Sequence, residues 1–486
     1  MLVDERTAAI EVPQAPSPPA PPGSRHRRGP LLLVGGSVLL AALSLLGPST
    51  PTYDPWAWII WGREITQLDL VTDTGPSWKP LPVAFTTVFA LFGSAAPLLW
   101  VVVARAGAIA AVVLAFRVAR RLGGGVAGGV AAAAALAIAP WWIRNSGLGN
   151  SEGLLVALLL AAIDRLLAGE RRAAFWLGCA AALLRPEVWP FLGLYGLWLL
   201  WRREMRPLAV VGAGVAVLAL WTLPEWWGSG DPLRAAHRAQ QVNPGAPTYA
   251  DNPAIEVLRD ASEMLTEPLL VGLGAALAYL LAVRRRDIAL LGALAAAWLA
   301  VVAAMTSDGF SGNQRYLIAP VAVLIVLAGA GAGWAAGVVA RAVRSALGGP
   351  RSLPQGGIAV GAVSVLAAVV FAGPSLGRLG PTMDALDFQA GLTETLPGLI
   401  DRAGGGEALK RCGEPYTDPF LVPMVAWHLR VHSREVGLDP RRPAVVFRVR
   451  RTEGHRPEPT LRDVGPHRTA ARNDRWRIVL ACGGGA

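Results

Sequence analysis

The chain has 486 residues, 53% hydrophobic and 16% charged, with a formal net charge of +11. Soluble proteins carry about 25% charged residues, so an ordinary soluble globule is excluded. The positive excess reads as the cytoplasmic loops of a membrane protein rather than as a nucleic-acid surface. Lys79 and Lys410 are the only lysines among 45 basic residues. That bias, with heavy Ala and Gly, suggests a GC-rich bacterial genome.

Residues 1–30 are rich in Pro, Ala and charge and are expected to form a disordered cytoplasmic tail. The tail ends in Arg25, His26, Arg27 and Arg28. The apolar run Leu31–Gly47 follows. No Ala-x-Ala-like site comes after it, so it reads as a retained first span rather than a signal peptide. Further apolar runs cover 95–116, 126–142, 153–168, 173–201, 207–224, 268–283, 288–305, 316–340 and 356–373. Their lengths approach what a hydrocarbon core of roughly 30 Å requires. Arg185-Pro186-Glu187 interrupts the run 173–201. Proline removes a helix donor and a charged pair resists burial, so this run predicts two short helices meeting at a polar break. About eleven hydrophobic helices result.

Positive charge sets the sides. The clusters Arg25–Arg28, Arg117–Arg121, Arg165–Arg172, Arg202–Arg206, Arg284–Arg286 and Arg341–Arg351 fit one cytoplasmic face. Segments 49–94, 143–152, 225–266, 306–315 and everything after about 374 then lie outside, with the break at 185–187 facing outward. The expected fold is an all-α polytopic membrane bundle over 31–373, with an outer first loop at 49–94. A small extracytoplasmic α/β domain over 374–486 follows it. In that domain 443–450 and 475–482 read as strands and 423–436 as a helix. The three cysteines have no zinc-like spacing. Cys412 and Cys482 are expected to pair outside the membrane, and Cys179, in an apolar helix, to stay free.

The outer segments hold the unusual residues. The first loop carries Trp56, Trp58, Trp61 and Trp78, which suit an interfacial helix. Asp54 stands just beyond the first span. With Pro55 after it, Asp54 suits a helix N-cap; as a carboxylate at the membrane surface it equally suits a general base. Glu64, Asp69 and Asp73 are further acidic candidates, or simply members of a solvated face. Lys79, in Trp78-Lys79-Pro80-Leu81-Pro82, puts a compact cation where positive charge is disfavoured. It reads as a ligand for a lipid phosphate, with snorkelling as the alternative. Arg185 and Glu187 lie in an apolar hairpin, where a charge costs ~3 kcal/mol on insertion scales. They are either a mutual ion pair or part of a site. Arg315 and Tyr316 stand where an outer loop enters a span, as anchors or as ligands. Base, lysine and two arginines on one side suit a substrate whose tail stays in the bilayer while its phosphate meets cations. No P-loop, hydrolytic triad or metal-ligand pattern competes.

These motifs resemble those of the GT-C membrane glycosyltransferases, near the protein O-mannosyltransferase and aminoarabinose-transferase branch. Tyr53-Asp54 after the first span, Lys79-Pro80-Leu81-Pro82 with Leu91-Phe92-Gly93, Arg185-Pro186-Glu187, and Arg315-Tyr316-Leu317-Ile318-Ala319-Pro320 occur in the same order. The resemblance covers roughly residues 31–340. It implies a polyprenyl-phosphate sugar donor, inversion at the anomeric carbon and an extracytoplasmic acceptor: a cell-envelope glycan, a lipid or a protein hydroxyl. It implies Asp54 as base and Lys79, Arg185 and Arg315 at the carrier phosphate. Glu187, Tyr316, Glu64 and Asp73 are the remaining substrate-side candidates. No cofactor and no nucleic-acid partner is expected. A lipid-linked saccharide flippase, or a non-catalytic envelope-assembly protein, is the competing expectation.

Overall fold

Small residues set how closely the apolar helices approach. A Cβ on Gly333 would meet the Gly124 carbonyl, and one on Gly331 the Gly272 carbonyl. Backbone contacts of this kind are how helices associate where lipid removes the hydrophobic drive. The structure, a computed structural model, describes residues 25–346, 357–450 and 456–483. Of the expected tail, residues 1–24 lie outside the described residues.

Helix α1 (Arg25–Leu43) leads into the first loop, which forms α2 (Tyr53–Thr66) and α3 (Pro80–Ala90). Helix α4 (Ala96–Ala119) ends in a π turn over Arg120–Gly124. There Gly123 adopts φ +103°, and α5 (Gly125–Ala137) folds back on α4, bringing Gly129 against Phe116. Next come α6 (Pro140–Gly147), α7 (Glu152–Leu167), α8 (Arg171–Ala182), α9 (Trp189–Trp201), α10 (Pro207–Ser229) and α11 (Arg234–Ala239). They are followed by α12 (Pro253–Glu263), α13 (Glu267–Val283), α14 (Arg286–Ser307), α15 (Ile318–Ala346) and α16 (Gly357–Leu376).

Each of the ten expected apolar runs is helical, 173–201 as the two short helices α8 and α9. Among the described residues six apolar helical segments are long enough to cross a membrane, one of them the α4–α5 segment that turns back on itself at Gly123. The number rises to eight if the bent pairs α6–α7 (113°) and α12–α13 (100°) each count as one. Helices α8 and α9 have 12 and 13 residues, roughly 18–20 Å each, well short of a bilayer core. Their break falls where the sequence puts it: Arg185 is extended and Pro186–Val188 forms a 3-10 turn.

The two ends of α7 differ in charge. Asp164 near its C-terminus binds Arg117, Arg121 and Arg165 at 3.2, 2.8 and 2.6 Å. Glu152 opens the helix twelve residues earlier, roughly 18 Å away along the axis.

The first loop departs from the expected interfacial helix. Trp56, Trp58, Trp61 and Trp78 are all buried, because α2 is covered by α3, α4 and the C-terminal domain. Thr86 donates to the Trp58 carbonyl at 2.6 Å, and Trp61 donates its Nε1–H to Val71 O at 3.0 Å.

The C-terminal domain consists of α17 (Leu379–Arg402), α18 (Gly406–Cys412), α19 (Val422–Leu429) and a four-stranded sheet. Its strands are β1 (Glu414–Thr417), β2 (Ala444–Val449), β3 (Arg468–Arg472) and β4 (Trp476–Ala481), in the order β1-β2-β4-β3. β1 runs parallel to β2, and the other pairs are antiparallel. The two expected strands are β2 and β4. The expected helix 423–436 stops at Leu429 because Arg430 turns left-handed at φ +57°. Cys412 and Cys482 form a disulfide, and Cys179 is buried and free.

Candidate functional site

The N-terminus of α7, the start of α2, the approach to α3, the α8–α9 break and the turn before α15 converge on one cavity of about 960 Å³. Asp54, Lys79, Arg185, Arg315 and Tyr316 all line it. The lining comes from helix ends and connecting loops, together with Phe420 and Arg434 of the C-terminal domain.

Each side chain is held by local structure. Lys79 precedes α3, with Pro80 at its first helical position, where a missing N–H is tolerated. Its neighbour Trp78 is anchored on α10, donating N–H to Glu225 Oε1 at 3.2 Å and indole N–H to Leu220 O at 3.0 Å. Arg185 sits in the break that Pro186 enforces. Asp54 lies in the first turn of α2, and the N-cap position belongs to Thr52. The capping role open to Asp54 from the sequence is therefore not the one it plays.

Glu152 is the hub. Its side chain is fully buried, and its Oε1 accepts from Arg185 Nη2 at 2.6 Å and Arg315 Nε at 3.1 Å. Lys79 Nζ stands 4.0 Å from the same oxygen and donates to Ser151 Oγ at 3.3 Å. Arg315 reaches on to Asp54, Nη1 to Oδ2 at 2.9 Å. Arg185 lies 3.6 Å from Glu187 Oε1 and stacks over the Tyr316 ring at 4.4 Å. Three cations thus face three carboxylates. Such balance is what burial demands, since an unpaired buried charge costs several kcal/mol. Lys79 is the loosest member. Burial, and next the neighbouring Arg185, push its ammonium down to about 7, while its Nζ rests 5.0 Å over the Trp58 ring.

Other sequence candidates fall elsewhere. Glu187 is buried behind Arg185 rather than lining the cavity. Glu64 and Asp73 do not reach the cavity either. Glu64 is buried under the C-terminal domain, accepting from Val71 N at 3.1 Å and sitting 2.8 Å from His432 Nδ1. Burial raises its carboxyl, opposed by the Val71 and His432 hydrogen bonds. Asp69 meets His432 Nε2 at 3.2 Å, and Asp73 meets Arg434 at 3.4 Å. These acids fasten the C-terminal domain to the first loop. Arg63 adds to that seam, donating to Val431 O at 2.7 Å. Among the described residues no three His, Cys, Asp or Glu side chains converge as a candidate metal centre.

Glu152 escaped the reading of the sequence. Its signal was the one that marked Asp54: an acid at the junction of an outer segment and an apolar run.

The architecture, a bundle of long apolar helices carrying a small C-terminal sheet, has a solved counterpart. The crystal structure of ArnT from Cupriavidus metallidurans in the apo state matches it with a TM-score of 0.57 and 15% sequence identity. The match covers 94% of this chain and 98% of that one. At that identity the likeness establishes the fold alone. No protein-family model and no curated protein matches the sequence.

Proposed function

We propose that the protein transfers a sugar from a polyprenyl-phosphate carrier to an acceptor hydroxyl outside the cytoplasm, with inversion. The observation that carries this reading is Arg315 bridging Asp54 to Glu152 inside the cavity, with Lys79 and Arg185 on the same carboxylate. A base and a phosphate-sized set of cations share one wall.

In this reaction the acceptor oxygen bonds to the anomeric carbon as the bond from that carbon to the phosphate oxygen breaks. Asp54 takes the hydroxyl proton. The carrier leaves with the bonding pair, and its phosphate passes from one negative charge to two. Cations matched to that growing charge lower the barrier more than they tighten ground-state binding. Lys79, Arg185 and Arg315 are in reach of one anion, and Glu152 positions them.

Arg315 couples the steps. A phosphate drawing Arg315 towards itself loosens the guanidinium from Asp54 and frees the base once donor is bound. Glu187 and Tyr316 hold Arg185 from two sides. The donor is tested with purified protein and a panel of radiolabelled polyprenyl-phosphate sugars. Turnover of at least one, lost in Lys79→Ala and Arg315→Ala, is expected. Binding of every member without transfer would favour a flippase.

A further inference from the structure

Residues 441–477 hold eleven arginines against four carboxylates, an excess of seven where the whole chain has eleven. Long domains cross membranes largely regardless of charge, so topology does not explain the excess. The sheet shows where part of it goes. Arg448 pairs with Arg477 across β2 and β4, and Arg472 pairs with Arg477 across β3 and β4. Directly paired residues share a face, so the three arginines form one row across three strands, roughly 10 Å long at the usual strand spacing. Like charges set directly opposite destabilise a sheet. Nothing in the row compensates: among the described residues Arg448 and Arg477 bond only to carbonyl and hydroxyl oxygens, and none of the three arginines meets a carboxylate.

The row is also built. Arg448 is tied to the carbonyls of Pro457 and Pro459 at 2.8 and 2.9 Å, and Arg477 donates to Thr469 Oγ1 at 2.8 Å. Arg472 and Arg477 are exposed. The opposite face of the sheet, through Phe447, Trp476 and Ile478, packs into the main core. The row therefore faces away from the helices.

We propose that this face docks a linear polyanion of the cell envelope, a chain of phosphodiesters or carboxylates whose successive charges meet Arg448, Arg477 and Arg472 in turn. The alternative is an anionic lipid surface. Peripheral membrane binding adds apolar or aromatic side chains to basic ones, and no large exposed hydrophobic residue lies on β2, β3 or β4. The proposal depends on the extracytoplasmic reading only for where the polymer is met, not for whether the face binds one.

The test uses the full chain in nanodiscs of neutral lipid, titrated with fluorescently labelled long-chain inorganic polyphosphate. Arg472→Glu with Arg477→Glu should weaken binding at least about tenfold, and added salt should weaken it for the wild type. Arg402→Glu with Arg411→Glu changes the net charge equally at exposed sites off the row and should leave binding intact. Equal loss in both double variants, or no polyphosphate binding by the wild type, overturns the proposal. So does binding only to vesicles containing anionic phospholipid. Donor binding measured on the same samples separates this result from the proposed activity, since the row variants should bind donor normally.

Discussion

Arg315 holds two carboxylates at once: its Nη1 lies 2.9 Å from Asp54 Oδ2, and its Nε lies 3.1 Å from Glu152 Oε1. The Glu152 end is buried and the Asp54 end reaches the cavity. One guanidinium therefore links the structural charge of the site to the carboxylate proposed to do chemistry.

The buried end predicts a stability effect. Glu152→Gln removes the anion that Arg185, Arg315 and Lys79 share and leaves buried cations uncompensated. Breaking a buried pair costs about 3–5 kcal/mol. Thermal unfolding in detergent should show a marked loss. Unchanged stability would mean that Asp54 and Glu187 suffice to balance the cluster.

Lys79 predicts a pH dependence. Its folded-state pKa of about 7 lies below the ordinary lysine value of 10.5. An arriving phosphate favours the ammonium, so above pH 7 donor binding must bring a proton with it. Affinity should be greatest below pH 7 and fall as pH rises through the window above it. A phosphodiester donor does not titrate there, so the slope belongs to the protein. Lys79→Met should flatten the profile and weaken binding at low pH by about 10–100-fold, the worth of a hydrogen bond to a charged group. Calorimetric titration across pH measures both, and an unchanged slope in the variant would exclude Lys79.

His432 predicts how firmly the C-terminal domain sits. It is the partner of buried Glu64, and the next residues, Ser433 and Arg434, line the cavity. His432→Ala leaves Glu64 short of a partner at a cost of about 1–3 kcal/mol. Hydrogen exchange should then rise in residues 68–74 and 430–436 while the bundle stays protected. Equal exchange in variant and wild type would show that Arg63 and the Asp73–Arg434 pair hold the seam without His432.

What the sequence disclosed depended on how local each signal was. The break at 185–187 was legible because proline and a charge pair interrupt one apolar run. Lys79 stood out against arginine usage. Asp54 was legible as an acid beside a span, but its partner Arg315 lies 261 residues away, and no spacing rule connects them. Glu64 and Asp73 resembled site residues because their partners His432 and Arg434 are more than 360 residues distant. Glu152 stands in the first turn of α7, where the helix dipole favours any acid, so its position alone does not mark it. Helix α17 was missed because its composition is mixed, and β1 and β3 because four or five residues carry little pattern.

Orientation is open to direct test. With the N-terminus in the cytoplasm, a C-terminal alkaline phosphatase fusion should be active and a C-terminal fluorescent protein of cytoplasmic type dark. The reverse pattern would put the cavity on the cytoplasmic side and remove the proposed acceptor.

The most direct measurement is donor binding and sugar transfer by Asp54→Asn in the same preparation. Asparagine keeps the shape, and Asp54 caps no helix, so folding should survive. Without the carboxylate, Arg315 is freer for the phosphate, and donor affinity should be unchanged or tighter. Transfer should fall by at least about a hundredfold, the lower bound for a positioned base. A folded Asp54→Asn protein that binds donor and transfers sugar at the wild-type rate would contradict the account.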